Sequence, residues 1–208
     1  MIAKEVMSIS PIVPVIVLED ENDALPLAKA LSAGGVNVME ITLRTKAALK
    51  AVEIISKNMP SMNVGTGTVC NEEDLIASKE AGAKFVFSPG ISQDLIDASK
   101  KHNMTLIPGV STSSEVMLAQ NNNICYCKLF PATLSGGVKI LKAFSGPFSK
   151  VKFCPTGGIK LENINDFLNL ENVLCVGGTW IVPKDAIKNK NFEKITALCK
   201  EAINSIKK

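Results

Sequence analysis

Residues 126–132 read Tyr126-Cys127-Lys128-Leu129-Phe130-Pro131-Ala132, a lysine inside an apolar run with the length and composition of a buried strand. Taking an ammonium out of water is costly, so lysine is seldom buried without a reason. Burial favours the uncharged form of an amine. An uncharged amine adds to a ketone and gives a Schiff base. Alternation along the strand sets Tyr126, Lys128 and Phe130 on one face and Cys125, Cys127 and Leu129 on the other. If the thiols and the leucine turn to a helix layer, Lys128 turns inward. The plainer alternative is a lysine that snorkels out of the end of a sheet.

The same unit repeats on both sides of this stretch. Residues 1–10 predict a short N-terminal helix. Strands are predicted over 12–18, 38–44, 63–69, 85–89, 105–110, 124–131, 151–156 and 173–176. Helices are predicted over 23–34, 45–57, 71–81, 92–101, 113–119, 138–144, 161–170 and about 192–206, with Thr45 and Asn71 as N-caps. Alternating strands and helices imply a parallel sheet. Eight such units in 208 residues predict an α/β fold of one specific kind, a single (β/α)8 TIM barrel spanning 1–208. An open doubly wound sheet is the alternative, but no G-x-G-x-x-G follows the first strand.

Composition narrows the function. The chain is 46% hydrophobic, enough for one sizeable core. A net charge of +3, dispersed over many lysines, gives no nucleic-acid footprint. No run approaches the ~20 apolar residues of a membrane span, and no signal-peptide pattern is visible. Six cysteines form no C-x-x-C pair, which predicts reduced thiols and a cytoplasmic protein. Of 23 basic residues only Arg44 is arginine. Its planar fork fits a carboxylate or phosphate in a way that lysine cannot.

In barrels of this type the chemistry sits at the C-terminal ends of the strands. Along Val38–Arg44 (VMEITLR), Met39, Ile41 and Leu43 share one face, while Glu40, Thr42 and Arg44 share the other. A structural Glu40–Arg44 ion pair is the plain alternative. Four residues along a strand span roughly 13 Å, too far for direct pairing of extended side chains. Gly157-Gly158 and Gly177-Gly178 each end a predicted strand, the seventh and eighth. Paired there, such turns predict a phosphate site built from backbone N–H groups. Gly65-Thr66-Gly67-Thr68 is a small-residue patch that leaves room either for substrate or for tight packing. No metal-ligand cluster is visible. The single histidine, His102, falls at a helix end and is expected to be exposed. Chemistry by a carboxylate and an amine is the expectation.

Seven stretches together resemble one family: Glu40-Ile41-Thr42-Leu43-Arg44, Gly65-Thr66-Gly67-Thr68-Val69, Ser88-Pro89-Gly90, Ile107-Pro108-Gly109, Lys128-Leu129-Phe130-Pro131-Ala132, Phe153-Cys154-Pro155-Thr156-Gly157-Gly158-Ile159 and Gly177-Gly178-Thr179-Trp180. The chain resembles the bacterial 2-keto-3-deoxy-6-phosphogluconate (KDPG) and 4-hydroxy-2-oxoglutarate (KHG) aldolases. The resemblance implies a class I lyase of the Entner–Doudoroff pathway, with no cofactor and no metal. Lys128 would form the Schiff base and Glu40 would act as acid and base. Arg44 would bind the pyruvate carboxylate, and Thr68, Pro89, Phe130 and Thr156 would line the pocket. Gly157, Gly158, Gly178 and Thr179 would bind phosphate. The partners implied are pyruvate, a phosphorylated 2-keto-3-deoxy sugar acid and, as a homotrimer, other copies of the chain. The sequence departs from the family at Thr179, usually serine, and at Thr133, often glutamate.

Other functions stay open at this point. The galactonate analogue of the substrate fits the same motifs. A phosphosugar isomerase or epimerase would share the phosphate turns. A barrel that only binds a phosphorylated ligand is the non-enzyme alternative.

Overall fold

The structure is a computed structural model that describes residues 1–206; Lys207 and Lys208 lie outside the described residues. In order it contains α1 (Ala3–Ser8), β1 (Ile12–Ile16), α2 (Ala24–Ala33), β2 (Val38–Thr42), α3 (Ala48–Asn58), β3 (Asn63–Gly67), α4 (Glu72–Glu80), β4 (Val86–Phe87) and α5 (Gln93–Lys101). Then follow β5 (Leu106–Ile107), β6 (Gly109–Val110), α6 (Ser113–Asn121), β7 (Tyr126–Leu129), α7 (Gly137–Ser145), β8 (Lys152–Pro155), α8 (Ile164–Leu168), β9 (Val176–Gly178), α9 (Lys184–Lys188) and α10 (Phe192–Asn204).

Local chemistry sets these boundaries. β1 and β2 are buried at every position, as expected of parallel strands covered on both faces. Asn71 caps α4 by accepting from the Asp74 N–H, and Ser92 caps α5 through the Leu95 N–H. Thr112 and Glu115 form a capping box on α6. Burial raises the Glu115 carboxyl, but hydrogen bonds from Ser111 and Thr112 outweigh it and hold it below the usual range.

The strands form two parallel sheets, ordered β5-β4-β3-β2-β1-β9 and β6-β7-β8. Isolated bridges, Phe153 to Val173 and Thr156 to Gly177, join β8 to the segment that enters β9. One large apolar cluster runs from Val6 to Ala202. Register assigns the faces. Val15 pairs with Glu40, Glu40 with Gly65, Gly109 with Lys128, and Lys128 with Cys154. Paired residues on parallel neighbours point the same way. The Thr66 hydroxyl bonds Ser78 of α4, so the odd members of β3, Gly65 and Gly67, point away from the helices.

Several boundaries differ from the sequence expectation. The predicted fifth strand is broken at Pro108, which has no N–H for the ladder. The last strand is Val176–Gly178, so the second glycine pair lies in the strand and not in the turn after it. Thr45 caps nothing: α3 starts later, and the Thr45 hydroxyl donates to Leu18 O. His102 is half-buried rather than exposed, 2.6 Å from Glu72 Oε1. Lys101 and then His102 hold that carboxyl below its usual range. Among the described residues all six cysteines are free, with Cys70 exposed and Cys125 half-buried.

Candidate active site

β7 carries Lys128 to the inner face, where only 5% of the residue is exposed. Its Nζ donates to Glu40 Oε1 at 3.0 Å and lies 3.3 Å from Oε2. Glu40 comes from β2 in the other sheet and is 1% exposed. The two sheets thus face each other across this pair. Phe87 and Phe130 set their rings 5.2 and 5.3 Å from the ammonium, close enough for cation–π attraction. Desolvating both charges offsets much of their attraction. Deleting one alone would leave a buried charge uncompensated, at a cost of about 3–5 kcal/mol.

The other expected residues lie at or just past strand ends, in small separate groups. Arg44 lies just past β2, exposed, and its Nε donates to Thr68 Oγ1 at 3.2 Å. The Thr68 backbone is left-handed (φ 63°), an outlier for a β-branched residue, and its hydroxyl meets the arginine from that strained turn. The Pro89 carbonyl packs on Gly109, where a Cβ would fall 2.3 Å from the oxygen. Thr156 is buried beside Gly177, with no space between them for a further methyl. Gly157 and Gly158 follow with φ of 102° and 78°, which favours glycine there. Their turn is tied to the loop after Lys128, because the Ala132 N–H donates to Thr156 O and the Thr133 N–H to Gly157 O. Gly178 is buried beneath the Trp180 ring and Thr179 is exposed. Lys128 and Glu40 touch directly, as do Arg44 and Thr68. No hydrogen bond or ion pair joins Arg44 to Glu40; the carboxylate pairs with Lys128 instead.

One feature has no counterpart in the sequence reading: Phe87, two residues before Pro89 in an alternating run, lies beside Lys128. Of the two alternatives for the patch 65–68, tight packing holds at both glycines: Phe85 occupies the side-chain space of Gly65, and Glu40 that of Gly67. Cys154 is register-paired with Lys128, and its Sγ lies 3.9 Å from Thr156 Oγ1. Hydrogen bonding with Cys154, and then burial, hold the Cys175 thiol well above its usual 9.0. Cys127, on the opposite face, is pushed up to about 12 by burial.

The model of the family described as KDPG and KHG aldolase matches residues 3–198. The chain belongs to that family. A 2-dehydro-3-deoxy-phosphogluconate aldolase of Dickeya dadantii is 48% identical over 201 residues, covering 97% of this chain and 94% of the relative. The KHG/KDPG aldolase of Escherichia coli K12 is 47% identical over 205 residues, covering 99% and 96%. Among solved structures, the KDPG aldolase of Legionella pneumophila superposes with a TM-score of 0.96 at 46% identity, covering 98% of each chain. That protein was captured with pyruvate as a covalent carbinolamine. The Zymomonas mobilis enzyme, solved with 3-phosphoglycerate, has a TM-score of 0.90 at 43% identity, covering 97% and 94%. Like other KDPG and KHG aldolases, this chain has an α/β fold with parallel strands. Among its described residues no helix is long and apolar enough to cross a membrane.

Proposed function

We propose that the chain is a class I aldolase. It cleaves 2-keto-3-deoxy-6-phosphogluconate to pyruvate and glyceraldehyde 3-phosphate, and 4-hydroxy-2-oxoglutarate to pyruvate and glyoxylate. The observation that carries this reading is the buried amine of Lys128, 3.0 Å from one carboxylate oxygen of Glu40. The family and the carbinolamine held by the Legionella relative support it.

In this reading Arg44 takes the substrate carboxylate. Thr68, Pro89, Phe130 and Thr156 line the pocket around the pyruvate half. Gly157, Gly158, Gly178 and Thr179 take the phosphate through backbone N–H groups and a hydroxyl. Glu40 accepts a proton from the Lys128 ammonium, and the freed amine attacks the C2 ketone. Glu40 returns that proton to the carbinolamine hydroxyl, water leaves, and an iminium remains. Glu40 then accepts the C4 hydroxyl proton. The C3–C4 bonding electrons flow into the iminium, the aldehyde departs, and the enamine of pyruvate is left. Protonation at C3 and hydrolysis release pyruvate and restore the amine.

The same reading takes the two sheets as arcs of one closed (β/α)8 barrel and residues 1–208 as one domain. The bridge from Thr156 to Gly177 on one side supports this, as does the continuity of β5 and β6 through Pro108 on the other. The family resemblance supports a cytoplasmic homotrimer. Borohydride added with pyruvate tests the central claim. A stable pyruvyl adduct mapped to Lys128 is expected, and an unmodified Lys128 would defeat it. Comparing kcat/KM for the gluconate phosphate, its galactonate analogue and 4-hydroxy-2-oxoglutarate sets the preferred substrate.

A further inference from the structure

Nothing in the backbone of Gly67 calls for glycine. It is absent from the glycines with positive φ, and it pairs with Thr42 in a regular parallel ladder. What is missing is room. A Cβ at Gly67 would fall 1.9 Å from Glu40 Oε1, 2.6 Å from Cδ and 2.7 Å from Cγ. The carboxylate that meets Lys128 lies where a side chain on β3 would begin.

We propose that Gly67 is the positioning residue for Glu40. The bare backbone seats the carboxylate against β3 and holds it at the amine. This rests on the acid–base role given to Glu40 above. The alternative, that glycine serves only strand packing, is answered by asking what would yield to an added methyl. β3 is hydrogen-bonded along its length to β2, and Gly67 O accepts from the Leu43 N–H at 2.8 Å. The atoms in the way belong to the far end of a side chain with rotatable torsions, so the carboxylate yields first. To reach ordinary contact it must retreat by about 1.5 Å, which breaks a 3.0 Å hydrogen bond. Gly65 on the same strand is a contrast. A Cβ there would strike the Phe85 ring at 2.3 Å and the Phe85 carbonyl at 2.6 Å. That glycine serves packing between strands, and Gly67 serves the acid.

A double-mutant cycle over Gly67→Ala and Glu40→Ala, read as kcat and KM, tests the assignment. A misplacement of this size is expected to lower kcat in Gly67→Ala on the order of 10²-fold with KM within about threefold. With Glu40 removed there is nothing to displace, so Gly67→Ala should cost under about twofold in the Glu40→Ala background. Wild-type kcat in Gly67→Ala, or the same loss in both backgrounds, overturns the proposal and leaves Glu40's role intact. Near-normal turnover in Glu40→Ala overturns that role, and the proposal with it. If Gly67→Ala does not fold, the collision predicts that the double variant folds with the Tm of Glu40→Ala. A double variant that also fails to fold overturns the proposal.

Discussion

Lys84 and Lys128 are both drawn into the protein, at opposite ends of the strands. Lys84 stands just before β4 and gives its Nζ to three uncharged oxygens. They are Pro60 O at 2.9 Å, Met62 O at 3.1 Å and Asn63 Oδ1 at 3.1 Å. An ammonium has three donors, and here all are used on the protein itself. Burial holds its pKa below the ordinary 10.5. Lys128 has one carboxylate and two aromatic rings instead. The difference separates a tie from a tool. Lys84 fastens the loop before β3 to the start of β4 and has no proton acceptor among its partners. Lys128 has a partner that can take its proton and hand it back.

Removing the amine of the tool should have the largest effect. Lys128→Met should cleave substrate only at the background rate. By leaving Glu40 buried alone, it should also lose about 3–5 kcal/mol of stability in urea unfolding. Adding Glu40→Gln to it should recover most of that stability. Full stability in Lys128→Met would mean that the pair is not energetically coupled. Next comes Glu40→Gln alone, which keeps the shape and removes the base. Here kcat should fall roughly 10²–10⁴-fold. Near-normal turnover would make Glu40 as passive as the acceptors around Lys84.

The smallest effect on activity is expected from the tie. Lys84→Met should keep kcat within about twofold, yet cost about 1–3 kcal/mol because its acceptors lose their donor. Its pH signature has a definite sign. The folded pKa lies below 10.5, so between the two values the unfolded chain holds more protons. Lys84 therefore makes stability rise as pH climbs through that window towards 10.5. Urea midpoints measured across alkaline pH should show that rise in the wild type and lose it in Lys84→Met. An equal slope in both would refute the burial argument.

Much of the site was legible because strands have a period of two. That period alone set Glu40 opposite Met39 and Ile41, and Lys128 opposite Cys127 and Leu129. The structure agrees at each of these positions. What one strand's period cannot carry is the register with its neighbours. Nothing local announced that Glu40 would use the space above Gly67, or that Phe87 would lie beside Lys128. Glycine misled at Gly177 and Gly178. Their composition reads as a turn, yet they pair with Val13 and Pro14 of β1, and the Thr156 hydroxyl and the Trp180 ring fill their side-chain space. Pro108 split a strand whose apolar pattern ran on across it. The half-buried state of His102 depended on Glu72, thirty residues away in the chain.

The hydrogen-bonded thiols bear on chemoselectivity. Cleavage releases an aldehyde, and a thiolate within its reach would compete with the amine by adding to that carbonyl as a hemithioacetal. Cys175 avoids this, because its bond to Cys154 and its full burial hold it protonated far above neutral pH. That thiol is closed off, and in the proposed reaction carbonyl addition is left to the nitrogen of Lys128.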